Sequence, residues 1–260
     1  MTSHVTIAEP LVVKLGGSTL GAHDTALDDI VALHRQGRRV VVVHGGGAEI
    51  TRWLELQQIP SRFVDGLRVT DAASLRVVVA VLAGLVNKEL VAQLSFMGVR
   101  ALGLSGVDGG LLQAELEREE LGYVGAVCSV DPSPLAAALD HGLLPLVAPI
   151  ALKRGTAQLL NVNGDTAAGA IAAALPGSTL VFLTDVPGVL DASGALVHRL
   201  TPEVRAMLLS TGALKGGMLP KIEAGARAAA SGGRTVIVDG RQGHALLAAL
   251  ADDGAGTRVL

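Results

Sequence analysis

Residues 11–18 read Leu11-Val12-Val13-Lys14-Leu15-Gly16-Gly17-Ser18, and residues 40–47 repeat the form as Val40-Val41-Val42-Val43-His44-Gly45-Gly46-Gly47. The predicted strands are Leu11–Leu15 and Arg39–His44, each a short, β-branched apolar run that stops at a glycine turn. Apolar character that continues without alternation predicts strands buried on both faces, the pattern of a parallel sheet covered by helices. Further runs of this kind lie at Arg100–Leu104, Leu144–Ile150, Thr179–Thr184 and Thr235–Asp239. Between them Asp24–Gln36, Ala48–Gln58, Asp71–Met97, Pro132–His141, Asp165–Ala174, Thr201–Ser210 and Lys221–Ser231 have helical composition. The alternation predicts an α/β fold: a three-layer α-β-α sandwich around an open, mostly parallel sheet. Leu111–Glu117 and Leu121–Val130, flanking the charged Arg118–Glu120, predict a hairpin over the sheet edge.

The 260 residues suit one large α/β domain. Half the residues are hydrophobic, 2% are aromatic and 33 are glycine, so the core must be built from Ala, Val and Leu. That balance excludes a disordered or collagen-like chain. Mean hydropathy is +0.49, but the longest apolar stretches, Val77–Val86 and Leu143–Leu152, fall well short of the roughly 20 residues of a membrane span. No membrane partner is expected. With 21 Lys+Arg against 24 Asp+Glu and no basic run, nucleic acid is not an expected partner either. Cys128 is the only cysteine, which excludes an intrachain disulfide and a cysteine zinc cage. Met1–Pro10 has neither a basic nor an apolar signal region, so a cytoplasmic location is expected.

The sharpest punctuation is Pro176–Gly177, which divides one domain over 1–260 into lobes at 1–175 and 176–260 with a cleft between them. Ligands of open α/β sheets bind at the carboxyl ends of the strands. Two glycine turns belong to that edge, and a glycine turn followed by a helix N-terminus favours phosphate. The chain has no Gly-x-x-x-x-Gly-Lys-Ser/Thr loop and no Gly-x-Gly-x-x-Gly at its first strand–helix junction. His44-Gly45-Gly46-Gly47 could serve an esterase as oxyanion loop, but no Gly-x-Ser-x-Gly nucleophile elbow accompanies it.

Lys14 ends a buried strand, and Lys221 opens a helix beside the positive end of its dipole; an anionic ligand would relieve both conflicts. Asp165 lies in Asn161-Val162-Asn163-Gly164-Asp165-Thr166, and Arg68 offers a planar fork for a carboxylate. Taken singly, each lysine also fits a solvated element end and Asp165 fits an N-cap. Arg68 equally fits a surface ion pair with Asp65 or Asp71, and His44 fits a satisfied core histidine better than a catalytic base.

Together these segments resemble the amino acid kinase family and, within it, the branch that phosphorylates N-acetyl-L-glutamate. The matching motifs are Lys14-Leu15-Gly16-Gly17, His44-Gly45-Gly46-Gly47, Gly66-Leu67-Arg68-Val69-Thr70, Gly84-Leu85-Val86-Asn87-Lys88 and Asn161-Val162-Asn163-Gly164-Asp165. They continue with Thr184-Asp185-Val186-Pro187-Gly188-Val189-Leu190, Gly217-Met218-Leu219-Pro220-Lys221 and Gly256-Thr257-Arg258-Val259, in the family's order over nearly the whole chain. Ala48 departs from the proline many members carry.

The resemblance implies that Lys14 and Lys221 neutralise the phosphoryl group in flight, that Gly17 and Gly46 donate N–H bonds to it, and that Asp165 positions the lysines. It implies an acetylglutamate site of Arg68, Asn161 and Asn163 with the Gly46-Gly47 turn. It assigns ATP to Gly16, Gly17, Ser18, Thr184, Asp185, Val186, Gly188, Val189, Leu190, Lys215, Gly216, Met218 and Lys221, with Mg²⁺ carried mainly by the phosphates rather than by a protein metal site. The implied reaction is the second step of arginine biosynthesis. Its acceptor, a carboxylate that ordinarily titrates near pH 4.3, is already ionised at neutral pH and needs no general base. Two alternatives remain: a kinase of a carrier-protein-linked aminoadipate group in lysine biosynthesis, and a nucleotide-binding sensor without catalysis. The family also implies a homodimer, for which the helix Ser74–Met97 with Val77, Val78, Val81, Leu82 and Leu85 is a candidate face, although these residues fit plain core equally well. With only thirteen residues ahead of Lys14, an arginine-insensitive form is expected.

Overall fold

The computed structural model describes residues 9–16, 25–212, 214, 216–251 and 255–260. The first half runs β1 (Leu11–Leu15), α1 (Ala26–Arg35), β2 (Val40–His44), α2 (Gly47–Leu56), β3 (Phe63–Val64), β4 (Leu67–Arg68) and α3 (Ala72–Val79). A π-helical stretch, Ala80–Val86, joins α3 to α4 (Asn87–Phe96), and then come β5 (Ala101–Ser105), β6 (Leu112–Leu116) and β7 (Val124–Val130). The second half is α5 (Ser133–Asp140), β8 (Leu144–Ala148), β9 (Ile150–Lys153), β10 (Leu159–Val162), α6 (Gly164–Ala173), β11 (Thr179–Thr184) and β12 (Arg199–Leu200). It ends with α7 (Pro202–Ser210), α8 (Met218–Ala230), β13 (Arg234–Asp239), α9 (Ala245–Ala251) and β14 (Thr257–Val259).

Eight strands form one sheet in the order β12-β14-β13-β11-β1-β2-β8-β5. All neighbouring pairs are parallel except β13 with β14. Residues one apart point to opposite faces of a strand, and here both faces are core. Leu11, Val13, Leu15, Val40 and Val42 join one cluster with α1, α2, the α3–α4 helix and α9. Val12, Val41, Val43, Leu180 and Phe182 join the other with α5, α6, α7 and α8. The unbroken apolar runs thus have a direct cause, and the layering is the expected three-layer sandwich. Because β1 pairs with β11, Leu11 through Leu15 lie beside Thr179 through Leu183.

Three expectations need correction. The run Leu144–Ile150 is not one strand: β8 ends at Ala148, and after Pro149, which has no N–H for a ladder, Ile150 starts a strand of another sheet. Leu112–Val130 is an antiparallel hairpin, but it does not stand alone: β6 and β7 close with β9 and β10 into a small four-stranded barrel. Along the long helix, Val77, Val78, Val81 and Leu82 are buried within the subunit and belong to its core, and Leu85 is half-buried. That helix, Ala72–Phe96, is long and apolar enough by length and composition to cross a bilayer, with 44% of its most apolar window buried in the protein. Asp71 caps it, accepting the Ser74 N–H at 2.7 Å.

Candidate active site

Lys14 shares the strand face of Val12, turned toward α6 and α8, at the carboxyl end of β1. Its Nζ lies 2.7 Å from Asp165 Oδ1, and Lys221 Nζ lies 2.9 Å from Asp165 Oδ2. The three side chains are only 10%, 7% and 12% exposed, in the order Lys14, Asp165, Lys221. Asp165 is not the cap of α6: Asn163 caps it, accepting from the Asp165 and Thr166 N–H groups at 2.8 and 3.1 Å. The aspartate carboxylate is thereby left to bridge two cations. Burial alone would raise its pKa, but the two lysines hold it below the usual carboxylate range. Among the described residues no other carboxylate pairs with either lysine, so this buried cluster carries one positive charge in excess, an arrangement that favours an anionic guest.

Helix packing brings Lys221 to Asp165. A Cβ on Gly169 would lie 2.5 Å from the Cβ of Ala224, so α6 and α8 approach to a distance that only glycine permits. Asp165 is four residues before Gly169 and Lys221 three before Ala224, so each stands one turn away on the contacting face.

The second glycine turn leads into α2, with Gly46 as N-cap and Gly47 as first helical residue. A Cβ on Gly46 would meet Leu82 Cδ2 at 2.7 Å. Beside this turn opens a cavity of about 180 Å³ whose walls include Gly46, Gly47, Arg68, Asn161, Asn163 and Gly164. Arg68, 7% exposed, enters it from β4. Its guanidinium donates to Ser61 Oγ at 2.5 Å, Gly47 O at 3.0 Å and Thr51 Oγ1 at 2.8 Å, and stacks over Phe63 at 4.6 Å. The surface-pair alternative fails, since Asp65 takes Arg118 and Asp71 caps α3. Arg68 is thus a desolvated cation held by neutral groups, and its pKa is lowered by burial. Asn161 reaches the same wall, donating to Thr70 Oγ1 at 3.0 Å. Sequence reading missed Ser61, Thr51 and Phe63, which only folding brings to Arg68. His44 is a wholly buried, hydrogen-bonded histidine rather than a base facing the cleft.

Of the nucleotide set, Thr184 ends β11 beside β1, with its hydroxyl 3.3 Å from Asp185 Oδ1. Asp185 and Leu190 are exposed and Val186 is half-buried, whereas Gly188 and Val189 are buried. The Val189 N–H donates to Thr257 Oγ1 at 2.8 Å, which fastens this loop to β14. The Gly16 N–H is taken by Leu183 O at 3.2 Å. Gly216 and Met218 form the entry to α8. Gly17, Ser18 and Lys215 lie outside the described residues. A larger cavity of about 300 Å³, lined by Arg38, Arg234 and Arg258 among others, opens at the amino ends of β11 and β13, away from the lysines.

The model of the amino acid kinase family matches residues 9–239. The chain is 43% identical over 255 residues to an acetylglutamate kinase of Dehalococcoides mccartyi strain 195, covering 96% of this chain and 94% of that protein. Among solved structures, smu.665 of Streptococcus mutans UA159 superposes with a TM-score of 0.80 at 29% identity, covering 96% of this chain and 97% of that one. N-acetylglutamate synthase of Neisseria gonorrhoeae, solved with coenzyme A and N-acetyl-glutamate, gives 0.82 at 25%, covering 97% of this chain and 59% of the synthase. The chain therefore belongs to the amino acid kinase family.

Proposed function

We propose that the protein transfers the γ-phosphoryl group of ATP to the γ-carboxylate of N-acetyl-L-glutamate, giving N-acetyl-L-glutamyl 5-phosphate and ADP, the second step of arginine biosynthesis. The observation that carries the reading is the Lys14–Asp165–Lys221 bridge standing at the carboxyl edge of the sheet, with the buried Arg68 cavity opening at the same edge. Family membership brings ATP, and the relatives named acetylglutamate kinase bring the acceptor.

Both reactants are anions at neutral pH, so the barrier is repulsion and misalignment rather than proton transfer. Arg68 holds the α-carboxylate of the acceptor bidentately, with Asn161 and Asn163 toward its amide. Lys14 and Lys221 meet the phosphoryl oxygens as charge spreads over them, and the N–H groups at the start of α2, Gly46 among them, add donors. Asp165 keeps the ammoniums a fixed distance apart while the site is empty of phosphate. Thr184 through Leu190 and the Gly216–Met218 entry to α8 hold the nucleotide. The first lobe, 1–175, carries the acceptor and the second, 176–260, the nucleotide.

The described residues do not build a Mg²⁺ cage: no three metal-ligating side chains converge, and Asp165 is engaged by its lysines. In this reading Mg²⁺ is carried mainly by the ATP phosphates. A homodimer belongs to the same reading. Its contact would use the outward side of the Ala72–Phe96 helix, where Ala80 and Gly84 are exposed and Phe96 is 94% exposed.

Coupled measurement of ADP release with and without acetylglutamate tests the function. Acetylglutamate-dependent turnover is expected. Turnover only with a carrier-linked aminoadipate group, or nucleotide binding without turnover, would replace the proposal by one of its alternatives.

A further inference from the structure

One buried titratable side chain takes no part in the transfer. His44, the last residue of β2, is wholly buried, and both its ring nitrogens are engaged. Nδ1 lies 2.9 Å from the carbonyl oxygen of Gly45, and Nε2 lies 3.1 Å from Nδ2 of Asn87. A carbonyl oxygen only accepts, so Nδ1 carries the proton. The Asn87 amide is oriented independently: one Nδ2 hydrogen goes to Leu146 O at 2.9 Å and its Oδ1 accepts from Lys88 Nζ at 3.0 Å, which leaves the second Nδ2 hydrogen for the ring, shared with the more distant Leu104 O at 3.3 Å. Nδ2 is therefore the group facing the ring, and Nε2 must accept. Two separate contacts demand one tautomer. The ring also stays neutral, since burial and the Lys88 charge outweigh the Gly45 carbonyl and lower its pKa to about 4.

The Gly45 carbonyl and the Gly46 N–H belong to one planar trans peptide and point in opposite directions, so fixing one fixes the other. That peptide has glycine on both sides, where backbone rotation meets least steric resistance. On one flank the Gly45 N–H is held by Leu15 O at 3.0 Å. The Gly46 N–H has no acceptor among the described residues and stands at the wall of the substrate cavity.

We propose that His44 is a positioning residue: its Nδ1–H holds the Gly45 carbonyl and so aims the Gly46 N–H at the transferred phosphoryl group, while Asn87, oriented by Lys88, keeps the ring in the tautomer that can do this. The destination of the Gly46 N–H rests on the kinase reading; the tautomer and the peptide restraint do not.

Two variants of nearly equal shape separate restraint from packing. His44→Asn keeps an N–H near the Nδ1 position, His44→Leu removes it, and both lose Nε2. His44→Leu is expected to lower kcat about tenfold to a hundredfold with little change in either KM, the size expected for a misaimed group. His44→Asn should stay within about threefold of wild type. Equal turnover by the two variants in an active enzyme would overturn the inference. Should His44→Leu fail to fold, the long-range ¹H–¹⁵N spectrum of the wild-type imidazole decides without turnover: a protonated Nδ1 and bare Nε2 at pH 7 are expected, and the reverse tautomer would overturn it. Wild-type inactivity on acetylglutamate, by contrast, would sink the kinase reading and not the peptide restraint.

Discussion

Gly169 of α6 and Ala224 of α8 touch so closely that a side-chain carbon on the glycine would fall 2.5 Å from the alanine Cβ and 2.7 Å from its Cα. One turn away, the same two helices carry Asp165 and Lys221, whose charged atoms are 2.9 Å apart. The bridge of the site is therefore set by a contact between two small residues that touch no substrate.

Gly169→Ala should consequently impair catalysis from a distance. The added carbon forces the helices apart by some tenths of an ångström, stretching Lys221 from Asp165. Overpacking of this kind costs about 1–3 kcal/mol, against about 1 kcal/mol gained from replacing a helical glycine. We expect a lower kcat with the KM for acetylglutamate preserved, because Arg68 lies on neither helix. Adding Ala224→Gly should restore part of the loss; an unaltered kcat in the single variant would show that the bridge tolerates the shift.

The lysines themselves should act mainly on kcat. They meet their full complement of negative charge only as the phosphoryl group moves, so Lys14→Ala or Lys221→Ala removes transition-state stabilisation. About 3 kcal/mol, or a hundredfold or more in kcat, is the expected loss by analogy with a single oxyanion donor. Steady-state kinetics with each substrate varied in turn checks this, and near-native kcat in either variant takes that lysine out of the chemistry.

Arg68 should behave in the opposite way, since it holds a carboxylate whose charge does not change in the reaction. Arg68→Lys keeps the charge but loses the fork that spans Ser61, Gly47 and Thr51. KM for acetylglutamate should rise about tenfold or more while KM for ATP stays where it is. A shift in the ATP constant alone would mean that the two substrates have been placed in each other's cavities.

What could be read from sequence follows from how local each signal is. The strands at 11–15 and 179–184 were legible because burial on both faces writes an unbroken apolar run into the chain. The barrel was not, because β9 and β10 span four residues each, carry Lys153 and Asn161, and pair in mixed directions that no periodicity encodes. In the site, Lys14 and Lys221 stood out as cations in places that local electrostatics disfavours. Asp165 and Asn163 could not be told apart, since either side chain can cap a helix and only the folded geometry gives the cap to Asn163. Gly169 and Ala224 left no trace at all, being small residues in helices rich in alanine.

The buried His44 makes a prediction about stability as well as turnover. Its folded pKa is depressed to about 4 by burial first, with Lys88 assisting and the Gly45 carbonyl opposing, whereas the unfolded chain titrates near the ordinary value of 6.5. Between those values the unfolded state binds a proton that the folded state refuses, so stability falls as pH falls. The contribution is fully present above pH 6.5 and is lost progressively down to about pH 4, a total of about 3 kcal/mol. Carboxylates such as Asp165, held low by its lysines, also lose stability on acidification, so the histidine must be isolated by difference. His44→Asn has no titrating group there. Urea unfolding of both proteins at pH 7 and pH 4 should show the wild type losing about 3 kcal/mol more than the variant. Equal losses would mean that the ring takes up its proton in the folded state at its ordinary pKa, and that the donor–acceptor arrangement linking Gly45 to Asn87 does not hold in solution.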